Sequence, residues 1–168
     1  MSEMNIQPKI SCLCITRNKS DMLERVIRCF QSQTYPNKEL FLLYESDDIV
    51  AKNTIAKYHD DKRIMVHCEE VLPKKTLGEL RNIAIRNCSG EYFCQWDDDD
   101  WFSSNRLEAQ YASLGGHESS VLDQWFIFDS VHKTAYLSNK RLWEGSLLCL
   151  KEKEPPQGYY PALTRGED

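Results

Sequence analysis

Four aspartates stand in a row at Asp97-Asp98-Asp99-Asp100. Adjacent carboxylates repel and raise one another's pKa unless a cation neutralises them. Hard divalent cations take carboxylate oxygens, and Mg²⁺ or Mn²⁺ commonly bridges protein carboxylates to substrate phosphates. Trp96 precedes the run and Trp101-Phe102 follow it. The charges are thus embedded between bulky apolar groups, which a merely solvating tract does not need. The alternative is a solvated acidic loop that caps the next helix. Position favours the metal reading: the run directly follows a strand-like segment, and open α/β sheets bind ligands outside the carboxyl ends of their strands.

The elements that must position this cluster alternate between strand and helix patterns. Residues 9–16 form a nearly continuous apolar run, as expected of a strand covered on both faces. Ser20 is a good N-cap for a helix on which Met22, Leu23, Val26, Ile27 and Phe30 keep the i, i+3, i+4 spacing, ending near Gln33. A second strand is expected over 39–44 and a helix over 48–58, where acidic residues suit the positive end of the dipole. A short third strand over 63–68 and a helix from Thr76 to Cys88 follow. The fourth strand, 91–96, runs into the aspartates. Ser103 or Ser104 then caps a helix to Leu114, ended by Gly115-Gly116. Beyond this the pattern changes: 121–130 and 133–138 read as a hairpin, 146–150 as a short strand, and 151–158 as a polar loop. The first 115 residues imply a parallel sheet with right-handed crossovers. The rest reads as an antiparallel addition to the same domain.

Composition narrows the function. The chain has 168 residues and a net charge of −5, so a general nucleic-acid binder is not expected. Mean hydropathy is −0.57, and no apolar run approaches the ~18 residues that suggest a membrane span. The N-terminus lacks the basic-then-apolar pattern of a secretory signal. Seven cysteines, an odd number set mostly in apolar stretches, point to core thiols in a reducing compartment. Cytoplasmic location is the expectation.

The landmarks, taken in order, resemble family 2 glycosyltransferases of the GT-A fold. The segment from Ile10 to Asn18 resembles that family's first strand, with Thr16 and Asn18 at its end. Gln33-Thr34-Tyr35-Pro36 resembles the turn after its first helix. Gly78 with Arg81-Asn82, and then Gly90-Glu91-Tyr92, resemble the approach to its metal motif. Asp97-Asp98-Asp99 resembles its Asp-x-Asp motif, and Gly166-Glu167-Asp168 its late Glu-Asp motif. The chain departs from the pattern in having Ile15 for the usual Pro, Arg17 for Tyr, and Tyr44-Glu45-Ser46-Asp47 where Asp-Asp-Gly-Ser is usual.

The resemblance implies an α/β GT-A domain and a metal-dependent, inverting transfer of sugar from a nucleotide-diphosphate sugar, with uridine the favoured base. It implies Mn²⁺ or Mg²⁺ on Asp99, and Asp97 on the ribose or the metal, with Asp98 and Asp100 able to exchange these roles. Thr16, Glu45 and Arg81 would line the nucleotide pocket, and Asp168 would be the catalytic base. The acceptor would be a carbohydrate or a lipid-linked sugar met at a membrane surface, as in polysaccharide biosynthesis. Because Asp168 ends the chain, a truncated catalytic core that binds nucleotide but transfers poorly is expected, with residues 116–168 an incomplete acceptor side.

Simpler readings exist for single residues. Thr16 can serve as a strand-end hydroxyl, and Arg81 can pair with Glu79 or Asp47 on the surface. Trp143 can pack rather than stack on a sugar. His67 and His132 read as structural, and Lys74-Lys75 as a solvated turn. Two other functions compete. A sugar-phosphate nucleotidyltransferase would need a Gly-rich basic loop after the first strand, and Thr16-Arg17-Asn18-Lys19-Ser20 has no glycine. A non-catalytic nucleotide- or partner-binding module of the same fold is the other.

Overall fold

A computed structural model of the chain describes residues 7–152 and 158–161. Its central sheet has the strand order β3-β2-β1-β4-β8-β5. The first four strands are β1 (Ile10–Ile15), β2 (Lys38–Glu45), β3 (Ile64–Glu69) and β4 (Tyr92–Gln95). They are mutually parallel. The side-chain period of two sorts β1 between two cores. Ile10, Cys12 and Cys14 join the helices α1 (Ser20–Gln31), α2 (Ile49–Ala56) and α4 (Arg106–Ala112) on one face. Leu13 and its neighbours Phe41, Leu43 and Phe93 meet α3 (Leu77–Asn87) on the other.

This division opens a crevice. From β1 the chain winds outward through α1, β2, α2 and β3, then returns through α3 to place β4 on the other side of β1. The strand order therefore reverses between β1 and β4. That is the topological switch point at which open α/β sheets bind ligands. Thr16 follows β1 there, and Asp97 to Asp100 follow β4 there.

At the opposite, amino ends of the strands, buried Glu39 ties three segments together. Its carboxylate accepts hydrogen bonds from Ser11 Oγ at 2.6 Å, from Ser89 N at 2.6 Å and from Ser89 Oγ at 2.6 Å. It also pairs with Lys9 Nζ at 2.6 Å. Burial works against its charge, but the bonds from Lys9, Ser11 and Ser89 outweigh that and hold its pKa at about 2. Gly90 completes the knot, since a Cβ there would meet Ser11 Oγ at 2.5 Å and Ser11 N at 2.8 Å.

Helix starts differ from expectation in two places. Lys19 rather than Ser20 is the N-cap of α1, because Asn18 makes a left-handed turn (φ +56°) and the first helical bond, Leu23 N to Lys19 O, begins there. Asn tolerates this backbone better than most residues. Asn105 rather than Ser103 or Ser104 caps α4. Met22 is 40% exposed, leaving Leu23, Val26, Ile27 and Phe30 as the buried stripe of α1. By contrast, the third helix does start at Thr76, its N-cap, which forms a capping box with Glu79.

The expected hairpin over 121–138 is also redrawn. β5 (Ser119–Leu122) leaves it to pair antiparallel with β8 (Trp143–Leu150), which pairs antiparallel with β4. Buried polar anchors hold it: Leu122 N donates to Ser146 Oγ, and Gln110 Nε2 to Ser146 O. Only β6 (Phe126–Asp129) and β7 (Thr134–Leu137) form the separate hairpin. The result is a mostly parallel sheet with an antiparallel addition. No helix among the described residues is long and apolar enough to cross a membrane.

Candidate active site

The crevice holds a cavity of about 420 Å³. Thr16, Glu45, Arg81, Asp97, Asp98 and Asp99 all line it. These six were predicted from sequence at scattered positions, and the switch point brings them together. Asp168 lies outside the described residues. A second cavity, about 410 Å³, sits beside the amino end of β4 and contains none of the predicted residues.

The aspartate turn has defined inner and outer members. Asp98 is buried, accepting from Thr16 Oγ1 at 2.8 Å and from Lys19 Nζ at 2.8 Å. Thr16 is therefore more than a strand-end hydroxyl: it fixes the aspartate turn to β1. Asp97 and Asp99 keep exposed carboxylates, with side chains 36% and 55% accessible. Asp100 does not line the cavity; burial, then the charge of Asp99, pushes its carboxyl upward. Of the four, Asp97 and Asp99 thus keep the more exposed carboxylates, beside an anchored Asp98.

The turn is held from below by an aromatic and cationic stack. Trp96 and Phe102 are buried with ring centroids 4.0 Å apart, and the Arg106 guanidinium lies 4.4 Å from Phe102 and donates to Gln95 O. The expectation that Trp101 also embeds the charges fails: it is 79% exposed, with Arg25 over its ring. Phe102 takes the interior place against Trp96 and Arg106.

Fixed positive charge surrounds the cavity. Arg81, on α3, is buried rather than on the surface. Its Nη2 lies 3.7 Å from Asp97 Oδ1, while Glu79 is engaged in its capping box and Asp47 with Arg17. Sequence reasoning missed Arg17 and Lys19. Arg17 bridges Glu45 and Asp47. Lys19 Nζ spans Asp98 and Asp99. Burial opposes the Lys19 charge, but hydrogen bonds to Asp98 and Asp99 outweigh it and raise its pKa above the ordinary lysine value. The signal was their place in the loop directly after β1. Among the remaining candidates, Trp143 stacks on Trp125 at 5.0 Å, His67 pairs with Glu69, His132 with Asp129, and Lys75 with Glu69.

The donor set fits a hard divalent cation of the kind that bridges to phosphate. Among the described residues no three carboxylate, imidazole or thiol groups cluster as a full protein cage. Mg²⁺-type sites, however, use one or two carboxylates and leave the rest to substrate phosphates. Asp97 and Asp99, exposed on one cavity wall, meet that requirement.

Comparisons with known proteins bear on the fold and the family. The chain is 30% identical over 104 residues to Protein CgeD of Bacillus subtilis, an overlap of 59% of this chain and 24% of that one. It is 23% identical over 119 residues to Glycosyltransferase GlyA of Streptococcus pneumoniae, covering 70% of this chain and 17% of that one. The chain thus spans about a quarter or less of the length of these relatives. Among solved structures, mannosyltransferase PcManGT from Pyrobaculum calidifontis, in complex with GDP-Man and Mn²⁺, matches with a TM-score of 0.61 at 19% identity. That match covers 71% of this chain and 36% of the other. S. aureus TarS 1-349 in complex with UDP-GlcNAc matches with a TM-score of 0.58 at 20% identity, over 67% and 33%. These likenesses show the GT-A fold. The model of the family described as Glycosyl transferase family 2 matches residues 11–164, from β1 to beyond the last described residue. The chain belongs to glycosyl transferase family 2.

Proposed function

We propose that this chain carries the donor half of an inverting glycosyltransferase. It would move a hexosyl or related sugar from a nucleotide-diphosphate sugar to an acceptor hydroxyl. The observation that carries the reading is the meeting of Thr16, Glu45, Arg81 and Asp97 to Asp99 around one cavity at the switch point. Family membership supports it.

The residues divide the work. Glu45, held by Arg17, offers acceptor oxygens to the base or ribose. Asp97 takes the ribose or the metal, and Asp99 the metal, while Asp98 keeps the turn in place from the Thr16 and Lys19 side. A bound Mn²⁺ or Mg²⁺ supplies Lewis-acid stabilisation of the charge developing on the leaving diphosphate. Arg17, Lys19 and Arg81 add preorganised positive charge around the same cavity. Asp168 is the proposed base: it accepts the proton of the acceptor hydroxyl as that oxygen attacks the anomeric carbon opposite the leaving diphosphate, which inverts the centre. Residues 1–115 would form the nucleotide side and 116–168 contribute to the acceptor side. The acceptor is a carbohydrate or lipid-linked sugar in polysaccharide assembly, met in the cytoplasm or at a membrane surface.

A thermal-shift panel of nucleoside diphosphates tests this reading. With Mn²⁺, UDP is expected to raise the melting point. At a hundred times its Kd, a ligand adds about 2.7 kcal/mol, or roughly 5–10 °C for a domain of this size. A shift with GDP in place of UDP would move the base assignment to guanosine. No shift with any diphosphate would remove the donor reading.

A further inference from the structure

Asn82 is an odd residue for the middle of α3, since Asn is a poor helix former. Its amide is engaged by a distant segment rather than by its own helix. Oδ1 accepts from Tyr159 N at 2.9 Å and Tyr160 N at 3.1 Å, and Nδ2 donates to Tyr160 O at 2.7 Å. One side chain thus satisfies three backbone groups of the segment 158–161. Two glycines are shaped to the same contact. A Cβ on Gly78, one helical turn before Asn82, would lie 2.3 Å from Pro161 O and 3.2 Å from Tyr160 Cβ. Gly158 has φ +77°, and a Cβ there would lie 2.7 Å from Asn82 Nδ2. The close approach of backbone to helix requires residues without side chains at both places.

The docked segment reaches the donor cavity through a short chain of contacts. Tyr159 packs edge-on against Phe93 of β4, with centroids 4.9 Å apart. The Arg81 guanidinium lies 5.2 Å from the Tyr160 ring centroid, a cation–π distance. The same guanidinium lies 3.7 Å from Asp97 Oδ1. Tyr160 therefore backs Arg81, and Arg81 faces Asp97 across the cavity wall.

We propose that Asn82, with Gly78, is a positioning residue that docks segment 158–161 onto α3, so that Tyr160 holds Arg81 against Asp97 and shapes the cavity for a nucleoside diphosphate. The coupling to nucleotide rests on the donor reading above; the docking does not. The segment lies in the part of the chain proposed above as the acceptor side, so the device joins the two sides: the acceptor-side segment sets the affinity of the donor site.

Two variants test it. Asn82→Ala removes all three hydrogen bonds. Gly78→Ala adds a methyl group against Pro161 while raising helix propensity, so a loss there cannot come from a weakened helix. Chymotryptic cleavage of the Tyr159–Tyr160 bond reports docking, and calorimetric titration with UDP or GDP in Mn²⁺ reports the cavity. Both variants are expected to be cut at least tenfold faster and to bind the diphosphate at least fivefold more weakly. Asn82→Asp, which keeps the acceptor for both amides, should recover part of each loss. Unchanged cleavage in both variants overturns the docking role. Faster cleavage with unchanged affinity overturns the coupling. If the unaltered chain binds neither UDP nor GDP, the donor reading and the coupling fall together, and cleavage alone decides the docking.

Discussion

Glu39→Gln probes the knot at the amino ends of the strands without touching the cavity. The wild-type carboxylate is 2% exposed and holds Lys9, Ser11 and Ser89. Its native pKa is about 2 against an ordinary value of 4.5. Each tenfold difference in proton affinity is worth about 1.4 kcal/mol, so the ionised form contributes roughly 3 kcal/mol to stability at neutral pH. A depressed carboxylate pKa means that this stability is present above pH 4.5 and is lost as pH falls toward 2. About 2 kcal/mol of it is gone by pH 3. Gln keeps one acceptor but turns an amide NH₂ toward the donors Ser89 and Lys9. Urea unfolding of both proteins at pH 7 and pH 3 gives the comparison, because other carboxylates titrate alike in both and cancel. The wild type should be more stable by about 3 kcal/mol at pH 7, a midpoint difference of 1–2 M at ordinary m-values. The gap should shrink to about 1 kcal/mol at pH 3. A gap below about 1 kcal/mol at pH 7, or one that does not change with pH, refutes the reasoning. Because Glu39 lies at the far end of the strands from the cavity, the folded variant should bind nucleoside diphosphate like the wild type.

Gly90→Ala forces a Cβ to within 2.8 Å of the Ser11 backbone nitrogen and 2.6 Å of Tyr92 O. Backbone cannot yield as a side chain does, so urea unfolding should show a loss of about 1–3 kcal/mol or more. Thr16→Val keeps shape but removes the Oγ1 donor to buried Asp98. The unsatisfied carboxylate oxygen should cost about 1–3 kcal/mol, seen as a lower melting point. The same variant should weaken nucleoside diphosphate binding, because the aspartate turn loses its tie to β1.

The site was legible where one strand decided it. The run of four aspartates after an apolar strand located the cavity wall, and the nearly continuous apolar run of β1 identified a strand covered on both faces. The start of α3 at Thr76 was readable because the signals that begin a helix are local. What was not readable depends on partners far along the chain. Glu39 looks like any strand residue until Ser11 and Ser89 close on it. Which of the aspartates is anchored could not be read until Thr16 and Lys19, about eighty residues earlier, claimed Asp98. Trp101 and Phe102 have the same hydrophobic weight in sequence, but only the Arg106 and Trp96 stack selects Phe102 for the interior. β5 was assigned to the wrong partner because pairing with β8 is anchored by Gln110 and Ser146, polar residues with no strand signal of their own.

The account's central claim is that Asp97 and Asp99 hold a divalent cation for a nucleoside diphosphate in the cavity between β1 and β4. Calorimetric titration of the chain with UDP and with GDP, in Mn²⁺ and in EDTA, tests it most directly when repeated on Asp97→Asn and Asp99→Asn. The account predicts one-to-one binding that requires Mn²⁺ and weakens at least tenfold in both folded variants. Equal affinity in EDTA, or unchanged affinity in the two variants, would contradict it.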